Sequence, residues 1–92
     1  MASNNLTMAA YNGNTTEVRE LLSKGADIHA NNDAALRVAS EGGHFDTVEL
    51  LVSSGAYIHA ENDAALNWAL TNGHSDVVKY LRSFYPAEVV KY

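Results

Sequence analysis

Written in blocks of 30 residues, the chain aligns on itself without a gap. Residues 31–60 read NNDAALRVASEGGHFDTVELLVSSGAYIHA, and residues 61–90 read ENDAALNWALTNGHSDVVKYLRSFYPAEVV. Residues 1–30, MASNNLTMAAYNGNTTEVRELLSKGADIHA, keep the same frame. A period of this length specifies one small supersecondary unit per copy, in contact only with its neighbours. Five columns carry the frame. They are Leu6, Leu36, Leu66; Ala9, Ala39, Ala69; Gly13, Gly43, Gly73; Val18, Val48, Val78; and Leu21, Leu51, Leu81. Gly25-Ala26 and Ile28-His29-Ala30 recur as Gly55-Ala56 and Ile58-His59-Ala60, and lapse in the third copy.

Each copy predicts two short helices. Asp33 and Asp63 precede Ala-Ala-Leu, where a carboxylate can accept from the free amides of a first turn, so both are N-cap candidates. Ser3 fills the same column in the first copy. Leu36 and Ala39, like Leu66 and Ala69, are three apart on one helical face. Gly43 and Gly73 then end the first helix. Val48, Leu51 and Val52 give the second helix a narrow apolar stripe, and Asp46 or Asp76 places negative charge in its first turn. The segment from Ala26 to Ala30 is expected to run extended into the next copy. A first helix of roughly eight residues is too short to persist alone in water. Stacking merges the stripes into one core. The expected fold is therefore all-α: a solenoid of three stacked helix-turn-helix units, 1–30, 31–60 and 61–90, forming a single domain over residues 1–92.

Composition removes whole classes of function. Eleven acidic residues against six basic ones leave a net charge of −5, so the field that draws a chain to phosphate backbones is missing and nucleic acid is not an expected partner. The chain has no Cys, which excludes disulfides, thiolate metal sites and Cys nucleophiles. Apolar runs are only a few residues long, so no membrane span is expected. Met-Ala-Ser-Asn-Asn lacks the pattern of a secretory signal, which predicts an intracellular protein and idle sequons at Asn5 and Asn14.

Leu-x-x-Ala, Gly-His, Val-x-x-Leu-Val and Gly-Ala-x-Ile-x-Ala together resemble the ankyrin repeat. The likeness covers residues 1–90 and is strongest over 31–81. The usual ankyrin unit has about 33 residues and opens Thr-Pro-Leu-His. Here the opening columns read Ala34-Ala35-Leu36-Arg37 and Ala64-Ala65-Leu66-Asn67, and the shortening falls before Leu36 and Leu66. Ankyrins project a β-hairpin finger there, so the loops between units are expected to be short. The 30-residue period and the Asn-Asp-Ala-Ala-Leu opening resemble the divergent ankyrin repeats of giant amoeba-infecting DNA viruses, which would place the protein in the host-cell cytoplasm. The resemblance implies a scaffold that binds a partner protein on its concave first-helix face, with no catalysis and no cofactor.

The outer units are expected to act as caps. Arg82 stands in the column of Leu22 and Val52, and Lys79 is expected to share an exposed face with it. Tyr85-Pro86 replaces Gly55-Ala56. In the first copy Asn4 and Asn5 replace Ala34 and Ala35, Glu17 replaces Thr47, and Glu20 replaces Leu50. These swaps fit a complete three-unit stack; a segment of a longer array is the alternative.

The four histidines, His29, His44, His59 and His74, recur every 15 residues. Zinc would need two imidazole nitrogens at about 2.0–2.1 Å, whereas equivalent residues on stacked helices lie roughly 8–10 Å apart. His44 and His74 are therefore expected to bond backbone at the start of the second helix, and His29 and His59 to fill a loop column. Trp68 aligns with Met8 and Val38 and is expected to anchor the core of the last unit. Tyr11, Tyr57, Tyr80 and Tyr85 stand in columns that other copies fill differently; for Tyr11, a binding contact and a cap over an exposed seam remain equal readings. The candidate contact surface collects variable polar columns: Tyr11, Asn12, Arg37, Glu41, Asn67 and Thr71 from the first helices, and Asn31, Asn32, Glu61 and Asn62 from the loops. Unconstrained solvent-facing positions would vary in the same way. No Ser-His-Asp set, His-Glu-x-x-His or phosphate loop is present. A monomer is expected, with stacking of the end units through Val89, Val90 and Tyr92 as the alternative.

Overall fold

Helices alternate with tight turns, two helices to each 30-residue stretch. The computed structural model describes residues 5–86. Its elements are α1 (Asn5–Tyr11), α2 (Thr15–Ser23), α3 (Ala30–Glu41), α4 (Phe45–Ser53), α5 (Ala60–Thr71) and α6 (Ser75–Arg82). Among the described residues there is no strand. Helix α3 packs between α1 and α5, and α4 between α2 and α6. The result is two helical layers in a rod of 42 × 19 × 18 Å, a solenoid of three helical hairpins. Ser3 and Asn4 lie outside the described residues.

The fixed apolar columns form the core. Leu6, Leu36 and Leu66, with Ala9, Ala39 and Ala69, are buried between the layers. Val18, Val48 and Val78 meet them from the second layer, together with Leu51 and Leu81; Leu21 is half-buried against the same cluster. The small Ala columns let the first helices approach closely. A hydroxyl pair, Thr15 Oγ1 and Thr47 Oγ1 at 2.7 Å, ties α2 to α4. Gly43 and Gly73 follow α3 and α5 at φ of 72° and 75°, conformations that an L side chain resists.

Asp33 and Asp63 do not cap their helices. Asn31, Asn32 and Asp33 all sit at φ between 57° and 59°, and Glu61, Asn62 and Asp63 between 56° and 62°. The chain turns left-handed for three residues before the right-handed helix resumes at Ala34 or Ala64. Asn and Asp are the non-glycine residues that tolerate this region best, which accounts for Asn-Asn-Asp and much of Glu-Asn-Asp. The turn stands where a longer repeat would project a finger. Its exposed carbonyls are satisfied from the helix that follows. Arg37 donates to Asn32 O at 3.1 Å and to Asn31 O at 2.9 Å, and Asn67 Nδ2 donates to Asn62 O at 3.1 Å. The buried Asp33 carboxylate instead accepts from Tyr57 N–H at 2.8 Å, tying the two ends of its own unit together, and from His29 Nδ1 of the preceding unit at 3.0 Å. The Ala26–Ala30 segment is not fully extended either: Ala30 N–H closes a turn onto Asp27 O at 3.2 Å, and His29 N–H reaches Asp27 Oδ1 at 2.9 Å.

Helix α2 starts on a cap that the aligned columns did not single out. Asn14 Oδ1 accepts from Glu17 N–H at 3.2 Å, and Asn14 Nδ2 donates to Glu17 Oε1 at 3.3 Å. Lys79 is exposed while Arg82 is half-buried, so they do not share one solvent face. Ser40 is 0% exposed and its hydroxyl finds no partner. Ala10, the aligned residue of the first unit, is equally buried without any polar group. Ser40→Ala should therefore raise stability by about 1 kcal/mol, because it removes an unpaired buried hydroxyl while keeping the carbon frame. A higher denaturation midpoint at unchanged slope would show this. A lower midpoint would mean that the hydroxyl has a partner in solution.

Candidate interaction surface

On the first-helix layer, the side turned away from the second layer carries large apolar groups. Met8 and Tyr11 are each 60% exposed, and Trp68 is 36% exposed. The expectation that Trp68 anchors the core is corrected: its ring lies at the surface, with the Arg37 guanidinium 5.7 Å from its centroid. In the aligned column, Met8 and Trp68 therefore face outward, while Val38 between them is half-buried against the core. The column's sequence carries a signal for this. Columns enclosed on every side hold one size of residue in all three copies, as Leu6, Leu36 and Leu66 do. Met, Val and Trp differ widely in volume, which a closed core would resist.

Thr7, Met8 and Tyr11 of α1 and Asn31 and Val38 of α3 line an open hollow of about 480 Å³. That lies within the usual range of ligand-binding clefts, roughly 300–1,000 Å³. A second hollow, lined by Tyr11, Val38, Glu41, Gly42, His44 and Asn72, shares two of its walls. Met8 and Val38 are thus part of a groove that reasoning from variable polar columns passed over.

The ten residues singled out from the sequence divide by what they touch. Tyr11, Asn31 and Glu41 border the groove and are exposed. Asn12 follows the end of α1 and is also exposed. Arg37 is engaged by two turn carbonyls and Trp68. Asn32 Nδ2 donates to Glu61 Oε2 at 2.7 Å, linking successive turns. Asn67 Nδ2 holds the carbonyl of Asn62, and Thr71 Oγ1 donates to Asn67 O at 2.9 Å. These last residues brace the scaffold as well as facing solvent.

Both groove walls are pinned from the following unit. His44 Nε2 donates to Tyr11 O at 3.0 Å, and His74 Nε2 donates to Glu41 O at 2.9 Å. Asn72 Nδ2 adds a bond to Glu41 O at 3.0 Å. The expected role of these histidines is corrected in its direction. They bond the end of the preceding first helix, and neither caps its own second helix through its side chain.

A separate polar cluster lies near the last turn. His59 Nδ1 donates to Asp63 Oδ1 at 2.6 Å, and Tyr85 Oη donates to the same oxygen at 2.6 Å. The His59 ring is flanked edge-on by Tyr57 and Tyr85, at centroid distances of 5.5 and 5.0 Å. Tyr85 gives Asp63 a donor, as the Tyr57 amide does for Asp33. The hydroxyl holds the Asp63 carboxyl below its ordinary value of 3.8; partial burial opposes the shift, and His59 adds to it. Burial, together with donation to that carboxylate, pushes the Tyr85 hydroxyl up. The folded state thus binds a proton at Asp63 less readily than the unfolded chain does. The stabilisation is complete above the ordinary carboxyl value and is lost as pH falls through the lowered one. Tyr85→Phe should melt below the parent at neutral pH, with the two melting temperatures converging as pH falls below the ordinary carboxyl value of 3.8. A gap that stays constant across that window would show that the hydroxyl does not act through Asp63.

Among the described residues no helix is long and apolar enough to cross a membrane. A family model described as Ankyrin repeats (3 copies) matches residues 6–91. No curated protein matches the chain, so the likeness to giant-virus repeats rests on the period and the opening motif alone.

Proposed function

We propose a protein-binding function from one premise: this chain belongs to the ankyrin-repeat family. Ankyrin repeats generally mediate protein–protein interactions and are typically non-catalytic. The present chain is read as a scaffold of that kind, one domain over residues 1–92 whose first and last units close the stack. The partner is taken up on the first-helix face, with the short left-handed turns at its margin. The exposed groove between α1 and α3 carries this reading. There large apolar side chains, Met8 and Tyr11, are open to solvent beside polar rim residues, the composition of an interface core. Catalysis, cofactor and nucleic acid are no part of the proposal. The protein is read as a monomer inside the cell; a viral source remains part of this proposal only through the motif likeness.

A photo-crosslinking residue at position 8, with a control at Glu49 on the second-helix layer, tests the face. In extract of the native cell, position 8 should capture a discrete protein and position 49 should not. The reverse pattern would overturn the choice of face, and capture at neither would overturn the scaffold reading.

One observation favours self-association as a second reading. Leu70 stands in the column of Ala10 and Ser40, both wholly buried under the following unit, yet it is exposed, as is Phe84. A second copy could cover them. Val89, Val90 and Tyr92, the sequence's other candidates for this contact, lie outside the described residues. Sedimentation over a range of concentrations separates the readings: a monomer throughout rules out the second.

A further inference from the structure

The two adjoining hollows on the first-helix face differ in chemistry. The larger is walled by Met8, Tyr11 and Val38 and bears no charge. The second is lined by an acidic residue, Glu41, and by Tyr11, together with Val38, Gly42, His44 and Asn72. Glu41 is exposed, and among the described residues its carboxylate makes no hydrogen bond or ion pair. Its backbone carbonyl, by contrast, is held by both His74 and Asn72, so the end of α3 that bears this charge is fixed. Arg37, the cation of the same face, is already committed to the carbonyls of Asn31 and Asn32 and to the Trp68 ring.

We infer that the groove selects a partner segment carrying an apolar side chain with a lysine or arginine close beside it. The argument rests on the protein-binding reading above and names the chemistry of the partner. The apolar group fills the hollow between Met8, Tyr11 and Val38 and is desolvated there. The cation enters the neighbouring hollow, where it meets a carboxylate and an aromatic ring, the two groups that attract a guanidinium or ammonium at short range. The whole chain, at a net charge of −5, favours the approach of a basic segment. Walls held by the histidines of the following units need little ordering when the segment binds.

Leu-anchored peptides are the probe, each carrying a single Arg, Ser or Glu within four residues of the Leu on either side and otherwise neutral. Binding to the intact chain is read by fluorescence anisotropy at low and high salt. The best Arg peptide should bind about fivefold tighter than its Glu counterpart, as expected for an exposed ion pair assisted by a ring. The preference should shrink with added salt. Glu41→Lys should reverse the order, and Met8→Ser should weaken every peptide. Both positions are exposed, so neither change threatens the fold. Equal binding of Arg and Glu peptides, or preference for Glu, overturns the inference. So does Arg binding that survives both substitutions, because it would lie elsewhere. If no peptide binds while position 8 still crosslinks a partner, the segment chemistry falls and the scaffold reading stands.

Discussion

Leu51→Ala should cost about 2–5 kcal/mol and leave much of the chain unfolded at ambient temperature. Leu51 is 0% exposed, in the helix that lies between α2 and α6. Its removal opens a cavity in the unit that both neighbours lean on. Each unit of a solenoid is stabilised chiefly by the faces it shares with its neighbours. Damage in the middle unit therefore weakens both interfaces, and the whole chain has only about 5–15 kcal/mol to lose. Leu21→Ala, at the half-buried equivalent in the first unit, should cost less because solvent already reaches that site. Urea titration followed by circular dichroism gives both values. Equal losses, or a cooperative transition unmoved by Leu51→Ala, would remove the middle unit from its place as keystone.

The same columns explain why the architecture was legible in the chain and the site only in part. A repeat without gaps announces its core, because Leu6, Leu36 and Leu66 occupy like surroundings and stay alike. Local rules were weaker guides wherever a contact joins residues far apart in the sequence. Asp33 stands where an N-cap would, but its carboxylate turns to the amide of Tyr57, 24 residues away in sequence. The handedness of Asn31–Asp33 decides this, and a strong capping preference cannot report the sign of φ. His44 and His74 likewise show their spacing in the sequence, while the carbonyls they bond belong to the preceding first helix. The groove was missed because Met8, Val38 and Trp68 look like core residues to any scale of hydrophobicity. Only the unequal sizes within that column mark it as open at Met8 and Trp68.

Gly43→Ala and Gly73→Ala form a pair whose backbone cost is nearly shared and whose surroundings differ. Both residues lie at φ near 70–75°, so either substitution carries a left-handed alanine penalty of about 1–2 kcal/mol. A Cβ at position 73 would meet nothing within 4 Å, whereas one at position 43 would come within 2.5 Å of His74 Nδ1. That ring has little freedom to withdraw, since its Nε2 is bonded to Glu41 O. Crowding of this kind adds about 1–3 kcal/mol, so Gly43→Ala should cost clearly more than Gly73→Ala in chemical denaturation. Adding His74→Ala should remove much of that excess, a coupling that a double-mutant cycle measures directly. Displacing His74 also removes one of the two bonds on the carbonyl that positions Glu41, leaving only that from Asn72. Folded Gly43→Ala protein should therefore lose part of its preference for Arg over Glu peptides, even though residue 43 lines neither hollow. Equal costs for the two glycines would mean that the ring swings aside freely. The histidine would then not be the brace that carries order from one unit to the binding face of the one before it.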